Sequence, residues 1–393
     1  MTPAARISAA IDILDRIFDG LPAEQALTRW ARGARYAGSK DRAAIRDHVF
    51  QALRCRRSYA ALGGGHTARA IMIGALRASD TDPATLFTGE GHAPDPLTTT
   101  EASGGRAPTS QAEAVDLPDW LWAAFERDLG QDAMATAQAH QTRAPVTLRV
   151  NLRMKTVPQA IEDLYQEGIE VRRTDRCDTA LIVVSGERKI RQAHAYLSGA
   201  VELQDASSQA AMARITVPPG AKVLDYCAGG GGKTLALAGR MPPGQDAQFF
   251  AHDIDPARMK DLPARAARAG VEVTCLTPAD LHAEPAFDIV LVDAPCSGSG
   301  TWRRNPEAKW RLTPEGLDKF TKIQRDILQS SSVFLRPKGQ LLYTTCSILT
   351  LENEAQTAAF CAAHPQFDVT HDIRWSVDDD GDGFYFAALA END

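Results

Sequence analysis

Two cysteines follow apolar runs that end in residues able to do chemistry. In FDIVLVDAPCSGSGTWRRNPEAK, residues Phe287 to Lys309, the run Ile289–Val292 has strand length. Its continuous apolar character suits a sheet covered on both faces. Asp293 stands at the carboxyl end, and Pro295 with Ser297-Gly298-Ser299-Gly300 ends the strand just around Cys296. In GQLLYTTCS, residues 339–347, the β-prone run Leu341–Thr345 places Cys346 just past its end. Thiols so placed could be reactive, could be buried structural groups, or could pair as a disulfide if their Cβ atoms lie about 3.5 to 4.5 Å apart.

A third stretch, AKVLDYCAGGGGKT, points to the same edge: a strand reaches Asp225, Gly229–Gly232 follow Cys227 and Ala228, and Lys233-Thr234 open a helix through Leu237. A phosphate-binding GxxxxGK[ST] loop would need glycine at position 227, where Cys227 stands. Asp293 would be the magnesium ligand of such a nucleotide triphosphatase. The other reading is a nucleoside cofactor without a phosphate chain. For it the glycines let backbone approach the ligand, and an acid ending the next strand binds ribose hydroxyls. Asp253 fills that place, with Asp255 as competitor, and Asp280 after the third strand could hold an exocyclic amine. The bland role for each acid is a helix cap.

These groups need a scaffold. After Gly220, strands at 222–225, 247–252, 271–276, 287–292 and 340–345 alternate with helices, which predicts a mostly parallel α/β sheet with right-handed crossovers. Runs at 367–370 and 384–389 could pair as an antiparallel ribbon at its edge. A helix from Leu117 (Trp120, Leu121, Ala124, Phe125, Leu129), strands at 146–151 and 180–184, and helices at 158–167 and 190–197 suggest a small α+β, ferredoxin-like module over 117–200. Residues 1–80 read as helical, with Ile7, Ile11, Leu14 and Ile17 at helical spacing. The first 70 residues hold twelve Lys and Arg against six Asp and Glu, while the whole chain carries a net charge of −7. Arg42, Arg46, Arg54, Arg56 and Arg57 on the third helix form either a solvated face or an RNA-facing one. Residues 85–116, rich in Gly, Pro, Thr, Ser and acid, read as a flexible linker. At 393 residues, two or three domains are expected; with 44% hydrophobic and 24% charged residues, the composition is that of a globular protein. There is no membrane-length apolar run and no signal-type core, so a cytoplasmic location is expected. Seven cysteines without CxxC or zinc spacing predict reduced thiols and no metal site.

Asp225-Tyr226-Cys227-Ala228 through Lys233-Thr234, Asp293-Ala294-Pro295-Cys296-Ser297, Arg303-Arg304-Asn305-Pro306-Glu307 with Trp310, and Thr345-Cys346-Ser347 with Glu352-Asn353-Glu354 resemble the Nop/Sun family of RNA cytosine-5 methyltransferases. Leu148-Arg149-Val150-Asn151 and Gln204-Asp205 with Ser207-Ser208 look like its upstream motifs, and residues 1 to about 75 look like the NusB-type RNA-binding domain of its bacterial ribosomal members. The resemblance implies a class I, Rossmann-like seven-stranded domain over 201–393, S-adenosyl-L-methionine as cofactor and ribosomal RNA as partner. It implies that Cys346 is the nucleophile, that Asp293 bonds the pyrimidine ring nitrogen, that Cys296 assists release, and that Lys233 lies beside them. The cofactor would be held by Cys227, Ala228, Gly229, Gly230, Gly231, Gly232, Lys233, Asp253, Asp280 and Asp293. The family loop reads Ala-Ala-Pro-Gly-Gly-Lys; here Gly229 and Gly230 replace the second Ala and the Pro, a change that bears on cofactor affinity. Arg303, Arg304 and Lys309 are expected phosphate ligands, with surface salt bridges as the alternative, and a monomer is expected. Two rivals remain: a DNA cytosine methyltransferase, which gives the nucleophile's role to its Pro-Cys cysteine, and an RNA-binding assembly factor with an idle catalytic half.

Overall fold

The computed structural model describes every residue except 243, 246, 285 and 393. Its contacts divide the chain into two compact units, residues 1–143 with 302–311, and residues 144–301 with 312–393.

The first unit is helical, as the spacing predicts. Helices Pro3–Phe18, Ala23–Gly33, Ser39–Arg54, Arg56–Gly63 and Ala68–Ala78 bury Ile7, Ile13, Leu14, Ile45, Val49, Leu53, Ile71 and Ile73 in one core. Gly38 stands at the N-terminus of the third helix, whose capping carboxylate is Asp41. The arginines of that helix and the start of the next have partners within the unit, with Arg42 and Arg46 exposed. Arg46 pairs with Glu24 at 2.7 Å, Arg54 is buried and donates to the Arg303 carbonyl at 2.8 Å, Arg56 lies 4.4 Å from the Phe18 ring centroid, and Arg57 meets Asp119 at 2.9 Å.

The flexible linker expected at 85–116 is instead a fastened strap. It carries helices Thr99–Ser103 and Gln111–Ala114. Arg77 donates to the carbonyls of Leu62 and Gly104, both at 2.7 Å, Arg69 pairs with Glu101 at 2.7 Å, and Phe87 is buried. Polar side chains reaching backbone carbonyls leave no apolar period in a sequence, so the composition of a linker conceals an ordered segment. Helices Asp119–Leu129 and Ala133–Ala139 also belong to this unit by contact rather than to the module that follows.

The second unit holds two sheets. Strands β1 (Thr147–Val150), β2 (Glu170–Arg173), β3 (Ala180–Ser185) and β4 (Val201–Leu203), with helices Val157–Gln166 and His194–Leu197, form an antiparallel sheet of order β2-β3-β1-β4. This β-α-β-β-α-β order is the ferredoxin-like one. Strands β5 (Lys222–Asp225), β6 (Gln248–Ala251), β7 (Val273–Cys275), β8 (Phe287–Asp293), β9 (Leu335–Thr345), β10 (Phe367–Trp375) and β11 (Phe384–Glu391) make a seven-stranded sheet of order β10-β11-β9-β8-β5-β6-β7. Strands β5 to β9 run parallel, and β10 and β11 close one side antiparallel. Leu224, Val290, Val292, Leu341 and Tyr343 pack on one face, and Val223, Ile289, Leu291 and Leu342 on the other. This two-sided burial is why the strand sequences are continuously apolar. The chain moves from β5 outward to β7, then returns to β8 on the other side of β5. The switch point between β5 and β8 is where open α/β sheets take their ligands.

Candidate active site

The glycine loop leaves β5, Asp293 ends β8, and Thr344 pairs with Asp293 across the β8–β9 ladder. Two turns past these strand ends bring Cys296 and Cys346 together, Sγ to Sγ at 3.4 Å. All seven cysteines are free thiols. Lys233, on the first turn of helix Gly232–Ala238, reaches Asp293 with its Nζ 2.6 Å from Oδ2, and Thr344 Oγ1 donates to Asp293 Oδ1 at 3.1 Å. The Asp293 side chain remains about a third exposed. The two sulfurs, the amine and the carboxylate expected to work together are therefore brought together.

Their electrostatics are unequal. Cys346 is held below an ordinary thiol, first by the hydrogen bond that Cys296 gives it and further by Lys233 and the Thr301 hydroxyl, against burial and the charge of Asp293. Cys296 is driven well above, first by that same bond, then by burial and by the charges of Cys346 and Glu352. Of the two thiols, Cys346 is therefore the easier to ionise. Burial pulls the Lys233 amine down, but the charge and hydrogen bond of Asp293 more than offset this and hold it protonated.

The glycine loop is clamped from several sides. Gly229 donates its N–H to Asp253 Oδ2 at 2.9 Å. The Gly232 carbonyl accepts from Arg149 Nη1 at 2.9 Å and Gln204 Nε2 at 3.2 Å, and Arg265 binds the Gly230 carbonyl. Gly229 and Gly231 take φ of +49° and +73°, a region that favours glycine. A Cβ on Gly231 would come within 2.1 Å of Leu262 Cδ1. Cys227 is half-buried beside the loop, and burial, with Asp225, pushes its thiol up. Asp225 Oδ2 accepts the Thr234 hydroxyl at 2.6 Å, while its buried Oδ1 has no hydrogen-bond partner among the described residues. Burial raises its carboxyl to about 6, opposed by the Thr234 bond and reinforced by Asp293.

Three expectations fare differently. Asp253 is buried, and besides Gly229 it holds Arg258 Nη1 at 3.1 Å and the Asp255 N–H at 3.0 Å. Asp280 is an exposed cap of helix Pro278–Ala283, accepting the Thr277 N–H at 3.1 Å and its hydroxyl at 2.6 Å, which is the bland role anticipated for a strand-end acid. The phosphate-ligand expectation for Arg303 and Lys309 is overturned. Both side chains are buried in the first unit, Lys309 Nζ donating to the Arg54 carbonyl at 2.8 Å, while Trp302 stacks on Phe125 at 6.0 Å. The motifs contained Arg149, Gln204 and Glu352 without showing what they hold, and Arg265 on the loop and Thr344 on Asp293 were not singled out, all polar residues whose part shows only once the chain is folded. Among the described residues no group of three or more His, Cys, Asp and Glu could hold a metal ion. No helix among them is long and apolar enough to cross a membrane.

Comparison with known proteins agrees with this geometry. The model of the 16S rRNA methyltransferase RsmB/F family matches residues 214–390, and that of the RsmF/B-like ferredoxin-like domain matches residues 117–188. The ribosomal RNA small subunit methyltransferase B of Vibrio cholerae is 30% identical over 303 residues, covering 74% of this chain and 69% of that protein. Across the curated relatives the matched stretch spans 58 to 70% of their length. The crystal structure of PH0851 superposes with a TM-score of 0.78 at 25% identity, covering 100% of this chain and 99% of that one. The structure of NSun6 from Pyrococcus horikoshii with SFG shares the fold at a TM-score of 0.58 and 16% identity, over 70% of this chain and 99% of that one. With its mostly parallel seven-stranded sheet of the class I methyltransferase type, the chain belongs to the RsmB/F (Nop/Sun) family of ribosomal RNA methyltransferases.

Proposed function

We propose that the chain methylates carbon 5 of a cytosine in small-subunit ribosomal RNA, through a covalent adduct with Cys346 and with S-adenosyl-L-methionine as methyl donor. The observation that carries this reading is the pair of sulfurs 3.4 Å apart beside the Lys233–Asp293 pair. Carbon 5 of cytosine is a poor nucleophile until an electron-rich atom adds to carbon 6. A thiolate suits that addition and leaves readily afterwards. Cys346, whose thiol is lowered first by the bond from Cys296 and further by Lys233, is the sulfur better suited to attack. Asp293, kept in place by Lys233 and Thr344, would bond the ring nitrogen as the adduct forms. Cys296 would assist the release, in which the carbon-5 proton passes to a base such as water and the C–H electron pair forms the C5–C6 double bond as the Cys346 thiolate leaves carbon 6.

The residues of the loop fit the cofactor. A buried Asp225 oxygen lacks a partner, the glycines bare their backbone, and Ile254, next to Asp253, is 88% exposed and offers an apolar surface to a flat ring. Bound there by Cys227, Ala228, Gly229–Gly232, Asp253 and Asp280, S-adenosyl-L-methionine would supply an electrophilic methyl group. Ribose hydroxyls reaching Asp253 would take the place of the Arg258 guanidinium. The target base must be unstacked to reach the sulfurs, and the helical unit would add RNA contacts. Bisulfite sequencing of ribosomal RNA from cells with and without the gene tests the assignment. A gene-dependent protected cytosine in the small-subunit RNA is the expected result, and an unchanged pattern refutes it.

A further inference from the structure

Glu352 is a glutamate with no solvent exposure, a placement that is expensive for a charged group unless every oxygen is hydrogen-bonded. Here four donors converge on it. Its Oε1 accepts the Ser297 N–H at 2.7 Å and Gln324 Nε2 at 3.1 Å. Its Oε2 accepts the hydroxyls of Ser297 and Ser347, each at 2.5 Å. Ser297 is the residue after Cys296 and Ser347 the residue after Cys346, so one carboxylate binds the chain beside both sulfurs. Further ties reinforce the clamp: Ser299 Oγ lies 2.8 Å from Ser347 Oγ, and the Gly300 N–H donates to the Cys346 carbonyl at 2.9 Å. Asn353 takes the Thr345 hydroxyl at 2.6 Å and gives its amide to the Ser347 carbonyl at 2.9 Å.

We propose that Glu352 is a positioning residue of the methyl-transfer site, whose buried carboxylate joins the two cysteine turns and so fixes the separation and orientation of the sulfurs. This rests on the reading of Cys346 and Cys296 as the reacting pair. A hydrophobic or neutral residue of similar size could fill the same space; what it could not do is accept four hydrogen bonds and place a negative charge beside Cys296. After the bond to Cys346, burial and the charge of Cys346, that charge further raises the Cys296 thiol, so Cys346 is the more easily ionised of the two.

The test uses the full chain with Glu352→Gln, which keeps volume and removes the charge. Alkylation by iodoacetamide at pH 7, resolved by mass spectrometry, reports the reactivity of Cys346 relative to Cys296 without any substrate. The wild type should label mainly at Cys346. In Glu352→Gln the ratio should fall at least fivefold, and kcat should fall by about 100-fold, the scale of an ångström-sized misplacement, with RNA and S-adenosylmethionine Kd within twofold of wild type. A folded Glu352→Gln with the wild-type labelling ratio and kcat overturns the proposal. Should that variant fail to fold, Ser297→Ala and Ser347→Ala, each deleting one hydroxyl from the clamp, must shift the ratio in the same direction; wild-type ratios in both overturn it. A shifted ratio without any gene-dependent methylcytosine leaves the clamp standing and refutes the reaction instead.

Discussion

Replacing Asp225 by asparagine should stabilise the protein at neutral pH but not in acid. The carboxyl is buried, one oxygen has no partner among the described residues, and its pKa stands near 6 against an ordinary 3.8. A carboxyl raised in the folded state contributes stability while both states are protonated, below about pH 3.8, and loses it as pH climbs through about 6. About two units at 1.36 kcal/mol each put the cost of the buried charge near 3 kcal/mol above that window. The asparagine retains an acceptor for Thr234 but buries an unsatisfied N–H, which takes back about 1 kcal/mol. The net effect is then a gain of about 2 kcal/mol at pH 7.5 and a small loss, up to about 1 kcal/mol, at pH 4. Urea unfolding of wild type and Asp225→Asn at both pH values, followed by circular dichroism, measures it. An equal effect at the two pH values, or a loss at pH 7.5, would show that burial of charge is not what perturbs Asp225.

Gly231→Ala forces a Cβ to 2.1 Å from Leu262 Cδ1 at a φ of +73°; about 1 to 3 kcal/mol of strain in the loop should weaken S-adenosylmethionine binding by tenfold or more in calorimetry. Lys309→Met removes the buried partner of the Arg54 carbonyl and should destabilise the chain by about 1 to 3 kcal/mol. It should leave the salt dependence of RNA binding unchanged, whereas loss of a phosphate ligand would reduce the slope by about 1. Arg77→Ala unfastens the carbonyls of Leu62 and Gly104 and should expose residues 85–116 to limited proteolysis that the wild type resists.

The central strands could be read in the sequence because the sheet is covered on both faces: β5 falls at 222–225 as expected, and β8 extends only to Asp293. β9 begins at Leu335 rather than 340, since Arg336, Pro337 and Lys338 dilute the apolar signal at its start, where Lys338 takes a φ of +63°. The candidate site residues are legible for a related reason: chemistry at the carboxyl edge demands a polar group directly after an apolar run, as at Asp293, Cys296 and Cys346. What hides are groups satisfied by distant backbone. Lys309 and Arg303 carry the composition of a surface yet are buried. The strap at 85–116 is held by arginines from another helix, and Glu352 serves two cysteines 56 and six residues before it.

The division of labour between the sulfurs is most directly measured by trapping. Cys296→Ala and Cys346→Ala are each incubated with small-subunit RNA and S-adenosylmethionine, and protein–RNA conjugates are resolved on a denaturing gel. A persistent conjugate with Cys296→Ala and none with Cys346→Ala is the predicted result. The reverse pattern would make Cys296 the nucleophile and contradict the assignment on which the mechanism is built.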